Sequence, residues 1–295
     1  MKTFSPMMLA LFGLVVILAG CQPVQPSPSE AAVVPEVATL PADPAQPCSE
    51  EHPEWGVYFE ERHVEGAVVL HDGSTGCTLR YNPQLAAQAF LPASTFKIPN
   101  TLIGLQSGVI SGADMVMTWD GRQWPIESWN QDHDLRSAFQ NSVVWYYQEL
   151  ARRVGAERMR SYVESIPYGN ADIGGEIDTF WLEGELRISP DQQVEFLRRL
   201  QADDLPFSTN HQALVRELMI LEETPEYTLR AKTGYTARVK EQVGWWVGYV
   251  EKDGVTYTFA TLLHMPEPVE MFQESRIDIT REVLMELEIL PGDTP

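Results

Sequence analysis

Lysine is scarce in this 295-residue chain: Lys2, Lys97, Lys232, Lys240 and Lys252 are the only five, beside 16 Arg and against 42 Asp and Glu. The formal net charge of −21 repels phosphate backbones and anionic headgroups, which excludes nucleic-acid binding and broad electrostatic adsorption to membranes. An anionic substrate therefore needs a local cluster of positive charge. Metal chemistry also lacks support. The six histidines (His52, His63, His71, His133, His211, His264) show no H-x-H or H-E-x-x-H spacing, paired Cys ligands are absent, and each His reads as a surface or turn residue. Apolar runs of the roughly 20 residues that a membrane-spanning helix needs are missing, as is any internal repeat. Hydrophobic residues nevertheless make up 44% of the chain, enough for a sizeable core, so wholesale disorder is excluded.

The N-terminus reads as an address. Lys2 supplies a positive start, and Met7 to Leu18 is an apolar run of signal-peptide length. It ends in Leu18-Ala19-Gly20-Cys21, which resembles the lipobox of bacterial lipoproteins. That resemblance implies cleavage after residue 20 and a diacylglycerol on the Cys21 sulfur. Gln22 in the next position implies the outer membrane. The alternative is an ordinary secretory signal and a soluble periplasmic protein. Residues 21–47 follow as a lipidated Cys and a tether, with seven prolines and no aromatic residue after Cys21. Such a segment cannot bury enough surface to fold, and extended it reaches up to roughly 80 Å. The expected folded domain is 48–295. In an oxidising compartment Cys48 and Cys77 can form a disulfide, the alternative being two separate buried thiols.

Within that domain, Gly66–Leu70 and Cys77–Tyr81 read as antiparallel strands around a turn, and Tyr227–Thr233 as a further strand. Gly244–Val250 and Val255–Leu263 flank Asp253-Gly254, the clearest hairpin signal in the chain. Helical patterns run over Phe96–Gln106, Val143–Val154, Glu157–Glu164, Pro190–Leu200, Asn210–Leu221 and Ser275–Leu290, with Ser189-Pro190 as an N-cap and N1 pair. Strands at both ends and helices between them predict an α+β fold: an antiparallel sheet of five or more strands flanked by helices, plus a helical lobe.

Three short motifs carry chemistry. Ser94 and Lys97 stand three apart at a helix start, so a neutral lysine amine, or a derivative of it, can take the serine proton. Lys232-Thr233-Gly234 ends a strand, where a cation and a hydroxyl suit a carboxylate and a glycine allows close approach. Ser142-Val143-Val144 lies in a helical segment, where Ser142 can relay a proton or simply cap. Taken singly, each fits an ordinary structural role.

Their order and spacing resemble the penicillin-recognising serine enzymes, and most closely the class D, or oxacillinase-type, serine β-lactamases. The supporting words are Pro92-Ala93-Ser94-Thr95-Phe96-Lys97-Ile98-Pro99-Asn100, Ser142-Val143-Val144, Tyr168-Gly169-Asn170, Phe180-Trp181-Leu182-Glu183-Gly184, Lys232-Thr233-Gly234 and Trp245-Trp246-Val247-Gly248. They span roughly residues 50–290. Val144 stands where class A enzymes have Asn, which makes a drier pocket beside Lys97.

The resemblance implies hydrolysis of β-lactam antibiotics, hence antibiotic resistance, through a Ser94 acyl-enzyme. It implies no cofactor beyond CO2-derived N6-carboxylation of Lys97, the carbamate being the general base. Phe96, Val144, Trp181 and Leu182 would surround it, with the Trp181 indole donating to it. The N–H groups of Ser94 and Tyr235 would form the oxyanion hole, and Ser142, aided by Lys232, would protonate the leaving nitrogen. Thr233, Gly234 and Arg276 would bind substrate, Arg276 as a bidentate fork. Tyr168-Gly169-Asn170 would be a supporting turn. Trp119, Trp124 and Trp129 read as core or loop anchors, with substrate preference set by the loops near Trp119–Trp129 and Tyr235–Gln242. A transpeptidase shares the three motifs, and a β-lactam-acylated sensor or penicillin-binding domain with slow turnover is the alternative; such receptors carry transmembrane helices that this chain lacks.

Overall fold

The computed structural model describes residues 48–265 and 272–292. The expected signal peptide, Cys21 and the tether to residue 47 lie outside the described residues. Among those described, no helix is long and apolar enough to cross a membrane.

The strands are β1 (Ser49–Glu51), β2 (Gly66–Asp72), β3 (Thr78–Tyr81), β4 (Ile220–Glu223), β5 (Tyr227–Tyr235), β6 (Gln242–Lys252) and β7 (Val255–Met265). They form one sheet in the order β1-β3-β2-β7-β6-β5-β4. The β6–β7 hairpin turns at Asp253 and Gly254, both at positive φ (52° and 77°), so Lys252 faces Val255 across a tight two-residue loop. The helices are α1 (Gly56–Glu60), α2 (Pro83–Ala87), α3 (Lys97–Gln106), α4 (Leu135–Gln140), α5 (Val144–Val154), α6 (Ala156–Ser165), α7 (Pro190–Gln201), α8 (Thr209–Leu218) and α9 (Phe272–Glu286). Ser189 caps α7 through a reciprocal pair with Gln192: the serine Oγ accepts from the Gln192 N–H, and the Gln192 side chain accepts from the Ser189 N–H.

Two expectations are corrected. The sheet is mixed, because β1 pairs parallel to β3 while the other pairs are antiparallel. The chain passes through α1 and β2 between them, long enough for the crossover that a parallel pair needs. The expected helix Asn210–Leu221 stops at Leu218, and Ile220–Glu223 joins the sheet edge beside β5 through a bulge. No glycine or proline separates the two, so the helical pattern runs on in sequence while strand pairing wins in space.

Alternation along β6 and β7 builds two cores. Trp245, Val247, Ala260 and Leu262 face the helical lobe. Trp246, Phe259 and Leu263 face the other side, against Ile279, Val283 and Leu284 of α9. Burial of each Val, Leu, Ile or Phe among them contributes about 1.5–3 kcal/mol. The consecutive tryptophans thus belong to opposite cores. At one end of the sheet the structure joins Cys48 to Cys77 as a disulfide, and the Thr78 N–H donates to the Cys48 carbonyl at 3.0 Å.

Candidate active site

Ser94 lies in a 3-10 turn, Ala93–Phe96, that runs directly into α3. Ala93 has φ +48°, a conformation that costs a residue with a Cβ about 1–3 kcal/mol. Its N–H donates to the Trp181 carbonyl at 3.0 Å. One turn further on, the Lys97 Nζ donates to the Ser94 Oγ at 2.7 Å.

Lys97 is 1% exposed. Burial pushes its amine well below the ordinary lysine range, and the charges of Lys232 and Arg238 push the same way. The Phe96 ring stacks on Trp181 with centroids 5.5 Å apart and meets Phe180 edge-on at 5.0 Å. Val144 and Leu182 line the adjoining cavity. Tyr147, which sequence reasoning missed, lies beneath the amine with its ring centroid 5.2 Å from Nζ. The Trp181 Nε1 is buried and has no hydrogen-bond partner among the described residues. A buried amine whose pKa is pushed down and an unsatisfied indole donor on the ring stacked against Phe96 fit a carboxyl group added to Nζ, since that group forms on a neutral amine and accepts hydrogen bonds.

Ser142 is not inside a helix and does not cap one. It occupies the turn between α4 and α5 at φ +54°, and Val143 takes the N-cap position. Its Oγ is buried without a partner among the described residues. A buried, unsatisfied hydroxyl at the cavity wall is left available to a ligand, which the side chain of a capping serine would not be.

On β5, Lys232 is buried and donates to the Thr233 carbonyl at 3.1 Å. Desolvation first, and then the Arg276 charge, push it down to about 7. The Thr236 N–H bonds the Val243 carbonyl of β6, whereas the Ala231 N–H bonds Met219 on the other side. By strand alternation the Tyr235 N–H points away from β6. Gly234 also has a packing purpose. A Cβ there would lie 3.0 Å from the Pro92 carbonyl oxygen and 3.1 Å from the Thr95 methyl, so the glycine lets the nucleophile turn sit against β5.

Arg276, on α9, is 7% exposed, and its Nε and Nη1 lack partners among the described residues. Desolvation lowers its pKa to about 10 against the opposing pull of Glu274 and Tyr235. Ser94, Ser142, Thr233, Gly234, Tyr235 and Arg276 all line one cavity of about 460 Å³. Lys97, Lys232, Phe96 and Trp181 are buried residues that do not line it.

The tryptophans pack against the core as loop anchors, and two of them also reach the cavity. Trp124 and Trp129 line it, in edge-to-face contact at 5.7 Å, together with Ile126. Their loop is closed by Asn130, whose side chain bonds both the N–H and the carbonyl of Trp124, at 2.7 and 3.0 Å. Trp119 remains a loop anchor, its Nε1 donating to the Arg122 carbonyl at 2.8 Å. Arg238 lines the other rim and pairs with Glu183 at 3.4 Å. His133 is no surface residue: it is buried, bridging Ser137 and the Ser128 carbonyl. Tyr168-Gly169-Asn170 is a turn, as expected; Gly169, at φ +59°, packs so closely on Arg187 that no Cβ fits. Cys48, Glu50 and Cys77 cluster as metal ligands do, but the two sulfurs are joined and offer no thiolate.

Residues 63–285 match the family described as the penicillin binding protein transpeptidase domain. The turn, the cavity and that match define a penicillin-recognising serine enzyme. The chain is 43% identical to the β-lactamase OXA-48 of Klebsiella pneumoniae over 242 residues, covering 82% of this chain and 91% of that one. It is 40% identical to the β-lactamase OXA-20 of Pseudomonas aeruginosa, covering 84% and 92%. Among solved structures, the class D β-lactamase YbXI from Nostoc is 44% identical with a TM-score of 0.77, covering 80% of this chain and 99% of that one. FUS-1 (OXA-85), a class D β-lactamase from Fusobacterium nucleatum subsp. polymorphum, is 36% identical with a TM-score of 0.78, covering 81% and 99%. The chain belongs to the class D serine β-lactamases.

Proposed function

We infer that the protein hydrolyses β-lactam antibiotics through an acyl-enzyme on Ser94. The observation that carries this reading is the 2.7 Å contact between the Ser94 hydroxyl and the amine of a buried lysine, whose pKa desolvation pushes well below the ordinary lysine range. Carboxylated by CO2, Lys97 supplies the general base for acylation and deacylation, held by Phe96, Val144, Trp181 and Leu182, with the Trp181 Nε1–H as donor.

Ser94 Oγ gives up its proton and attacks the lactam carbonyl carbon. The backbone N–H groups of Ser94 and Tyr235 stabilise the charge that develops on the carbonyl oxygen. As the C–N bond breaks, Ser142 donates a proton to the lactam nitrogen and is reprotonated with the help of Lys232. The drug's carboxylate is held by Thr233 and Arg276, whose unpartnered N–H groups suit a two-pronged contact, with Gly234 letting the strand approach. A water then hydrolyses the ester and frees Ser94.

By the same reading the catalytic domain is 48–295, behind a signal peptide of 1–20 and a tether of 21–47. The protein is exported to the periplasm and anchored at the outer membrane through a lipid on Cys21. Replacing Cys21 with Ser should move it from the membrane fraction to the soluble periplasmic fraction; unchanged partition would remove the anchor.

Turnover of a chromogenic cephalosporin, with and without bicarbonate, tests the hydrolase reading. The expected result is many turnovers per protein, stimulated by bicarbonate and abolished in Ser94→Ala. A single stoichiometric burst would instead identify a drug sensor, and no acylation at all would end the reading.

A further inference from the structure

Ser94 is held from behind by a buried polar chain that none of the steps above uses. The Thr95 hydroxyl donates to the Pro92 carbonyl at 2.8 Å, closing the turn over Ala93 and Ser94. A hydroxyl has one proton, so with that proton committed its lone pairs must accept. They accept from the Gln193 Nε2 at 2.8 Å, and the Tyr168 hydroxyl lies 3.4 Å away. Thr95, Gln193 and Tyr168 are all 0% exposed. Gln193 stands in the first turn of α7, whose start is fixed by the Ser189–Gln192 capping box. The chain therefore runs from a rigid helix start, through one hydroxyl, to the carbonyl that precedes the positive-φ residue Ala93. Left to its local preference, a non-glycine residue at φ +48° would relax toward negative φ, and Ser94 would move with it.

We propose that Gln193, acting through Thr95, is a positioning residue for the nucleophile: the Gln193–Thr95–Pro92 chain holds the turn so that Ser94 Oγ stays in reach of Lys97. The inference rests on the hydrolase reading, since it concerns the rate of Ser94 acylation. A small displacement of a nucleophile lowers the rate steeply while leaving the rest of the drug's contacts in place. A network that merely stabilised the fold would change the melting temperature and not the chemistry of the folded molecules.

The test is stopped-flow acylation of the mature protein by a chromogenic cephalosporin, well below the melting temperature. Rates are normalised to folded protein by circular dichroism, for wild type, Thr95→Val, Thr95→Ser and Gln193→Met. Thr95→Val keeps the shape and loses the chain, Gln193→Met keeps the Thr95–Pro92 bond and loses the donor, and Thr95→Ser keeps the hydroxyl. The expected result is an acylation rate constant lowered about ten- to a hundredfold in Thr95→Val and Gln193→Met, with drug dissociation constants within about twofold of wild type. Thr95→Ser should remain within about threefold of wild type. Wild-type acylation in the two apolar variants would overturn the proposal, as would a Thr95→Ser loss as large as that of Thr95→Val. If neither apolar variant folds, the chain serves the fold rather than the nucleophile and the proposal fails. A wild-type protein that no β-lactam acylates would end the hydrolase reading itself, a separate outcome.

Discussion

The Lys97 amine and the Ser94 hydroxyl stand 2.7 Å apart with the lysine fully enclosed. This one relationship ties a cost in stability to a gain in reactivity. An ammonium ion there would lose its hydration with no counter-ion beside it among the described residues, so burial shifts the balance toward the neutral amine.

The cost is measurable through pH. Burial drops the Lys97 pKa well below its ordinary 10.5, so between the folded value and 10.5 the unfolded chain binds a proton that the folded chain does not. Stability should therefore fall as pH decreases from about 10.5 toward the folded value, and rise with pH over the same window. Without bicarbonate, Lys97→Met should melt higher than wild type at pH 7, and the gap should narrow toward pH 10. For a domain of this size about 1 kcal/mol reads as roughly 2–4 °C. A lower melting temperature for Lys97→Met at every pH would contradict this.

In the proposed mechanism Lys232 is the cation that helps Ser142 deliver its proton. Replacing it with Ala should reduce acylation by tenfold or more, on the order of one lost charge-assisted contact, while Lys240→Ala and Lys252→Ala stay near wild type. Lys252 only reaches the Glu288 carbonyl, at 2.6 Å on the surface. Because desolvation holds Lys232 down to about 7, its charge is lost as pH rises through that value. The alkaline limb of kcat/KM for an anionic drug should follow it, and Lys232→Arg should remove that limb. Equal effects at all three lysines would refute the assignment.

Gly234→Ala tests the packing of the nucleophile turn on β5. The new methyl would crowd the Pro92 carbonyl and the Thr95 methyl, and both belong to the Ser94 turn. Acylation should fall about tenfold or more with a modest loss of melting temperature. An unaffected acylation rate would mean that the turn tolerates displacement.

The disulfide between Cys48 and Cys77 closes a loop with a sequence separation of 29. Chain entropy alone gives such a link about 3–4 kcal/mol. Thiol titration of the denatured, unreduced 48–295 fragment should find no free thiol, and reduction should lower the melting temperature. Two free thiols would contradict the bridge.

Ser94, Lys97 and Lys232 were legible in sequence because their chemistry depends on residue type at fixed local spacing. The Asp253-Gly254 hairpin and the Ser189-Pro190 cap were legible for the same reason. Strand β1 was not, being three exposed residues with no apolar alternation, placed by its pairing with β3. Trp119, Trp124 and Trp129 recur every five residues, a spacing of neither helix nor strand, and a loop closed by Asn130 brings Trp124 and Trp129 to the cavity. Ser142 looked helical because its neighbours are, and only its positive φ marks it as strained. Gln193 lies 98 residues from Thr95, so no local pattern links them.

The most direct test of the central claim is carbon-13 NMR of the protein equilibrated with labelled bicarbonate. The expected result is one carbamate resonance per molecule, absent in Lys97→Ala, weakened in Trp181→Phe, and rising and falling in step with deacylation as bicarbonate is added and removed. Full deacylation activity with no carbamate on Lys97 would contradict it.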